Sequence, residues 1–356
     1  MRINHMTFWI FLILTVLYVL PIQAVEWQLV AEYPGREGWI NQLVIHPDKP
    51  DVFFAATEGA GVLLSEDAGK TWTPKNQGLT QAAEGTVSGL HVRCLALDPN
   101  EEGTMYAGMA AFGVFKTTDG GTSWSTMNEM LGDTFTKVMA IHPDKPDTLY
   151  LGTDGGGIYR YKFDSEEPKW EEIIEGMKNT YVKTMVMIPD NLDVIYAGTD
   201  GGISMTNNGG DSWINMTSGP RYVLALAVNP ENPKIIYAGS DGSGLMKSVD
   251  GGDSWVAVGG DIWLTKGMAD EFAAPGEDSM TTPMVSSIAI NPVNTSIVYA
   301  GNPSGFFRST DAGETWTQEN TGLSNINVKC IKVSQNKPVT VYTGTSGAKL
   351  FSYVEE

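Results

Sequence analysis

The 356 residues include 40 glycines, 18 prolines and 10 tryptophans, with only 18% charged, which fits an all-β chain and excludes a helix-rich one. Twenty-three basic residues face 42 acidic ones, a net charge of −19 that repels nucleic acid and anionic membrane. No Cys-x-x-Cys pair, nucleophile elbow, P-loop or dinucleotide fingerprint occurs, so no cofactor and no metal is expected.

The first element is a leader. Arg2 precedes the apolar run Phe8 to Leu20, and Pro21-Ile22-Gln23-Ala24 ends on a small residue suited to cleavage. The run of 13 residues falls short of the roughly 20 that span a bilayer as a helix. Residues 1–24 therefore read as a signal peptide and 25–356 as one secreted or periplasmic domain, with no stable membrane insertion after cleavage. Losing Arg2 leaves 22 basic against 42 acidic residues, a net charge near −20.

Next comes a lone tryptophan strand, Trp27-Gln28-Leu29-Val30, and then a repeat. Five octapeptides match Ser/Thr-x-Asp/Asn-x-Gly-x-Ser/Thr-Trp, starting at Ser65, Thr117, Thr206, Ser248 and Ser309. Their spacings are 52, 89, 42 and 61, and the gap of 89 hides a degenerate copy that keeps Trp170. Each box follows an apolar run leading into a Pro-containing turn, such as Leu95-Ala96-Leu97-Asp98-Pro99, and an Ile-Tyr-Ala-Gly-Thr-like segment, as at Ile195 to Thr199. The unit reads as strands A, B, C and D, with the box at the C–D turn and Trp opening strand D. Four antiparallel strands per repeat of about 40–50 residues indicate a β-propeller blade.

Aligned in this way, strand A falls near Leu43, Leu95, Met139, Met185, Leu226, Ile288 and Ile331, giving seven blades. The seventh has no Trp after Phe351, so the strand at Trp27 is expected to complete it and close the ring. The box residues Asp67, Asp119, Asn208, Asp250 and Asp311 are expected to hold the C–D turn. Trp72, Trp124, Trp213, Trp255 and Trp316 are expected to wedge between sheets. Cys94 and Cys330 occupy equivalent places in blades two and seven, with blade one between them. That separation exceeds the roughly 7 Å reach of a disulfide, so two free buried thiols are expected.

A ligand face is expected where the B–C and D–A loops surround the channel mouth. The B–C turns carry Glu58, Asp154, Asp200 and Asp241, and strand A opens with Arg93, Lys137, Lys183 and Lys329 in four blades. A mixed ring of acids and bases suits a polyhydroxylated or zwitterionic ligand or a charged peptide. Asp-Gly is also a strong hairpin signal, so turn chemistry alone accounts for the aspartates. His46 and His142 both sit in a His-Pro-Asp-Lys-Pro turn, an echo of the repeat and not a metal pair. The longest departure from the repeat, Asp261 to Thr282, contains Trp263, Met268, Phe272 and Met280. It is expected over the same mouth, with Trp263 as an exposed ligand or partner contact.

The boxes, spread over nearly all of residues 26–354, make the chain resemble the BNR or Asp-box superfamily. Its members include sialidases, xyloglucan-degrading endoglucanases, sortilin-type receptors and photosystem II stability/assembly factors. The short exported form is most similar to the last group, which implies protein binding, although that group's basic patch does not fit so acidic a chain. A sialidase would carry Arg-Ile-Pro and an arginine triad. The first is missing, and Arg36, Arg93, Arg160, Arg221 and Arg308 form no such set. From Gly38-Trp39-Ile40 through Trp72 the chain resembles the xyloglucanases, which implies a catalytic acid at the place of Glu58. In that family the second acid comes from a second propeller. Hydrolysis needs two carboxylates about 5–9 Å apart, and the available partners for Glu58 are Asp154, Asp200 and Asp241. The expectation is thus a monomeric, non-catalytic propeller binding a protein or carbohydrate, with glycoside hydrolysis as the alternative.

Overall fold

The computed structural model describes residues 26–32, 38–79, 90–142, 145–189, 191–266 and 281–355. Residues 1–24, where a signal peptide is expected, and residues 267–280 of the insertion, with Met268, Phe272 and Met280, lie outside the described residues.

Short β-branched and aromatic runs between glycine turns pair in sequence order, because each hairpin turn is too short to let a strand pair elsewhere. Twenty-eight of the thirty described strands sort into seven antiparallel groups of four, and Leu264–Lys266 pairs separately with Thr281–Pro283. Their first strands are Ile40–Ile45, Leu90–Leu97, Thr136–His142, Val182–Ile188, Val223–Val228, Ser287–Ile290 and Val328–Val333. Each first strand contacts that of the next group, and the seventh contacts the first, so they form a ring of inner strands. The seventh sheet is completed from the N-terminus. Gln28–Glu32 pairs antiparallel with Lys349–Val354, from Gln28 opposite Ser352 to Glu32 opposite Lys349. Blades one and two are additionally joined edge to edge by Glu58 opposite His91 and Gly59 opposite Leu90.

The box builds its turn with hydroxyl and carboxylate together. In blade one the Gly69 N–H donates to Ser65 Oγ at 2.8 Å, and the Thr71 N–H and hydroxyl donate to Asp67 at 2.8 and 2.6 Å. Asp119, Asp250 and Asp311 repeat the pattern, and Asn208 Oδ1 accepts from the Ser212 N–H at 3.1 Å. Hydrogen bonds from Thr71, Ser123 and Ser254 hold Asp67, Asp119 and Asp250 at about 2, below the ordinary 3.8. A carboxyl depressed on folding stabilises above its unfolded value near 3.8 and loses that contribution as pH falls through about 2. The triple variant Asp67→Asn/Asp119→Asn/Asp250→Asn keeps the Asn208 geometry without the titration. Its melting temperature should fall less than that of the parent between pH 5 and pH 2. An unchanged acid slope in circular dichroism would refute this reading.

Tryptophan wedging follows one rule in four blades. The indole N–H donates to the carbonyl three residues after the preceding blade's Trp position: Trp124 to Lys75 at 2.8 Å, Trp170 to Met127 at 2.7 Å, Trp213 to Ile173 at 2.7 Å and Trp27 to Glu319 at 3.0 Å. The degenerate third blade thus keeps its wedge after losing its box. Two box tryptophans depart from the expectation. Trp255 and Trp316 are only partly buried and turn onto their own box, at Gly252 and Gly313. The slot due to Trp316 is filled by Trp263, which donates to Val258 at 2.6 Å and packs edge-on against Trp316. Trp72 is also partly buried, and its Nε1 has no partner among the described residues.

Cys94 and Cys330 are free and buried, and burial pushes both thiols up to about 12.

Candidate functional site

In three blades the threonine before the acid, not the acid itself, holds the B–C turn. Thr57 Oγ1 donates to Gly61 at 2.7 Å, Thr153 Oγ1 to Gly157 at 3.1 Å and Thr199 Oγ1 to Gly202 at 2.9 Å. The side chains of Glu58, Asp154, Asp200 and Asp241 make no hydrogen bond to their own turns among the described residues. Turn chemistry therefore accounts for the threonine and leaves the carboxylate unexplained.

The main chain fixes these acids in one repeating position. The N–H groups of Glu58, Asp154, Asp200 and Asp241 donate to the carbonyls of Trp39, Phe135, Tyr181 and Tyr222 at 2.9, 2.9, 3.2 and 3.0 Å. Ala110 and Ser346 do the same to His91 and Asn327. In blade six Pro303 follows the strand and has no N–H, so the Asn302 side chain donates to Met284 instead, at 3.0 Å. All seven blades thus present a turn residue beside the residue that leads into an inner strand.

The expected acids and bases meet, and they neutralise one another in two separate groups. Glu58 lies against His91 Nδ1 at 2.7 Å, Arg93 Nη1 at 2.9 Å and Asn41 Nδ2 at 3.2 Å. Asn41 also donates to the Val92 carbonyl and accepts from the Trp39 indole, which locks the group to both blades. Across blades three and four, Asp154 binds Lys183 at 2.6 Å and Lys137 at 3.3 Å, and Lys183 reaches Asp200 at 3.5 Å. Burial works against the Asp154 carboxylate, but the two ammonium groups outweigh it and hold the carboxyl below its ordinary value. Asp241 is exposed and has no ion pair among the described residues. Lys329 lies over the Trp39 ring, 4.9 Å from its centroid, where burial lowers its pKa.

Trp263 is the contradicted member of the expected set. It is 1% exposed in the seam between blades five and six, where Phe307 and Trp316 cover it, so it offers no surface to a ligand. Its place in a long insertion pointed outward. The vacancy left by the turned Trp316 draws it inward, because burying an indole outweighs exposing it.

Rings at the mouth are the residues the sequence reading missed. Phe135, Tyr181 and Tyr222 are 54%, 49% and 51% exposed, and Trp39 is half-buried in the same register. The signal lay in the alignment: an aromatic stands directly before the inner strand in four of seven blades. Among the described residues no three His, Cys, Asp or Glu side chains are grouped to hold a metal ion.

No family model matches the chain. A probable oligoxyloglucan-reducing end-specific xyloglucanase of Neosartorya fischeri is 33% identical over 88 residues, 24% of this chain and 10% of that protein. A xyloglucanase of Hypocrea jecorina is 26% identical over 163 residues, 40% of this chain and 19% of that one. The chain thus spans a tenth to a fifth of these curated relatives. Among solved structures, the GH74 xyloglucanase from Xanthomonas campestris aligns with a TM-score of 0.66 at 14% identity, over 92% of this chain and 53% of that one. YCF48 bound to D1 peptide aligns at 0.64 and 14% identity, over 93% and 97%. At such identities the likeness is one of fold, that of a β-propeller.

Proposed function

We propose that the chain is an exported, non-catalytic scaffold that holds a protein or a glycan on the face formed by its B–C and D–A loops. One observation carries this. Glu58 and Asp154 are consumed in two distinct ion groups on different blade pairs, while Phe135 and Tyr181 near Asp154 stay about half exposed. A hydrolase needs one carboxyl to give a proton and a second to assist attack across the same bond. A binding face needs fixed polar groups and exposed rings, and the preorganised network holds both in place without a ligand. Export agrees with the leader over residues 1–24 and with neighbours that include an extracellular domain from B. thetaiotaomicron. The likeness to YCF48 bound to D1 peptide supports the holding of a peptide, and the resemblance to Asp-box proteins is consistent with it.

Glycoside hydrolysis stays as the second reading because the curated relatives are xyloglucanases and Glu58 is the acid best held at the mouth. The two separate in one assay. Purified protein incubated with a polysaccharide panel should release no reducing sugar, and Glu58→Gln should leave that baseline unchanged. Release by the parent that disappears in Glu58→Gln would establish the hydrolase instead.

A further inference from the structure

From blade three to blade five the mouth forms an arc in which rings and carboxylates alternate. Asp200 donates its N–H to the Tyr181 carbonyl at 3.2 Å, and its own carbonyl accepts from the Tyr222 N–H at 3.1 Å. Tyr181 and Tyr222 therefore flank one turn, and Phe135 takes the equivalent place one blade earlier. Three rings, each about half exposed and repeated at the same step around the ring, are not accounted for by the core. Lys137 and Lys183 sit on Asp154 and Asp200, while Arg221 stands 5.9 Å from the Tyr222 ring centroid and the exposed Asp241 has no ion pair among the described residues. Three bases and three acids thus leave the arc without net charge.

Blade four opens a cleft of about 340 Å³ on this arc, lined by residues that include Lys178, Asn179, Gly201, Ser204, Asn215 and Thr217. Asn179 is two residues from Tyr181, and Gly201 follows the Asp200 that both tyrosines bond. The lining holds amides, hydroxyls, main chain, the Lys178 side chain and the apolar Ile203 and Met216, with no carboxylate. Asn179 Nδ2 and Thr217 Oγ1 make no hydrogen bond among the described residues, so a donor and a donor–acceptor remain available. The volume lies at the small end of ligand pockets, roughly 300–1,000 Å³.

We infer that blades three to five form a binding site for an uncharged, polyhydroxylated chain, a neutral polysaccharide. Its sugar faces stack on Tyr181 and Tyr222, and the hydroxyls of one unit enter the blade-four cleft. Flat rings cover the C–H faces of pyranose units, and amides match vicinal hydroxyls, whereas a polymer carrying one sign of charge would meet both signs along the arc. The inference rests on the ligand-face reading above and names the ligand of that face.

The test is affinity electrophoresis through gels containing xyloglucan, galactomannan or mixed-linkage β-glucan. Polygalacturonate gels and calorimetry with a lysine-rich peptide supply the charged comparisons. At least one neutral polymer should retard the protein. Tyr181→Ala and Tyr222→Ala should each weaken that binding about tenfold without lowering the melting temperature, because both side chains are exposed. Tyr181→Phe should keep most of it, and Trp39→Ala on blade one should change it less than twofold. Retardation that survives both tyrosine variants but falls with Trp39→Ala would overturn the inference and leave the ligand face standing. Binding only to polygalacturonate or the peptide would overturn the ligand class, as would no binding to any member of the set.

Discussion

Replacing Glu355 by alanine is expected to cost about 3–5 kcal/mol of stability, the range for stripping one partner from a buried ion pair. Glu355 follows the last strand, Lys349–Val354, and lies outside every repeat. Here its N–H donates to the Val339 carbonyl at 2.8 Å, and its carboxylate is driven into the seam between blades six and seven. There it pairs with Arg308 and accepts from the Tyr299 and Tyr353 hydroxyls at 2.8 and 2.9 Å. The Arg308 and Glu355 side chains are only 12% and 6% exposed, so water cannot replace the lost partner. Burial and then the neighbouring Glu355 charge push the Tyr299 hydroxyl upward, which keeps it a neutral donor to that carboxylate. Glu319 stands 3.9 Å from Arg308, with one oxygen unpartnered among the described residues, and can recover part of the loss by moving closer. Urea denaturation should therefore place Glu355→Ala well below the parent and Glu355→Gln, which still accepts from both tyrosines, between them. The double variant Arg308→Met/Glu355→Leu removes both charges but leaves Glu319 and the two tyrosine hydroxyls without these partners, so it should recover only part of the deficit. A Glu355→Ala midpoint indistinguishable from the parent would show that the pair contributes nothing.

The repeat was legible because propeller blades are local. Each strand pairs with its sequence neighbour, so a period in the sequence is a period in space, and even the closing strand at Trp27 followed from counting tryptophans. Relations between blades were legible only in part. The alignment placed Glu58 and Arg93 at the mouth, but not the fact that the acid of one blade meets the base of the next. That depends on the angle between sheets. Trp263 was misread for a related reason: a sequence shows an indole in an insertion and not the empty slot beside Trp316. The mouth rings were passed over because the search there was for charge, although Phe135, Tyr181 and Tyr222 share a register. Glu355 belongs to no repeat, so no period could have marked it.

The seam that closes the ring should be the second point of failure, and Gly322→Ala is expected to expose it. Gly322 has φ +90, and a Cβ there would lie 2.1 Å from the Trp27 carbonyl oxygen. The left-handed backbone alone costs an alanine about 1–2 kcal/mol, and relieving the clash adds roughly 1–3. The neighbouring carbonyl cannot retreat cheaply. The Trp27 N–H donates to Thr321 at 2.9 Å, its indole to Glu319 at 3.0 Å, and its ring meets Phe306 and Tyr353 edge-on, each at 4.7 Å. Gly78 and Gly176 stand in the same relation to Trp124 and Trp213, but those strands follow closely in sequence on the strands they pair with, whereas Gln28–Glu32 pairs with Lys349–Val354 across the ring's closure. Gly322→Ala should therefore release the strand before the other blades melt, and hydrogen exchange should speed first at Gln28–Glu32 and Lys349–Val354. Trp27→Ala should cost about 3–5 kcal/mol at the same seam. Because both changes remove one docking event, the double variant should lose clearly less than their sum. Full additivity, or faster exchange spread evenly over all seven blades, would mean that the N-terminal strand does not latch the ring.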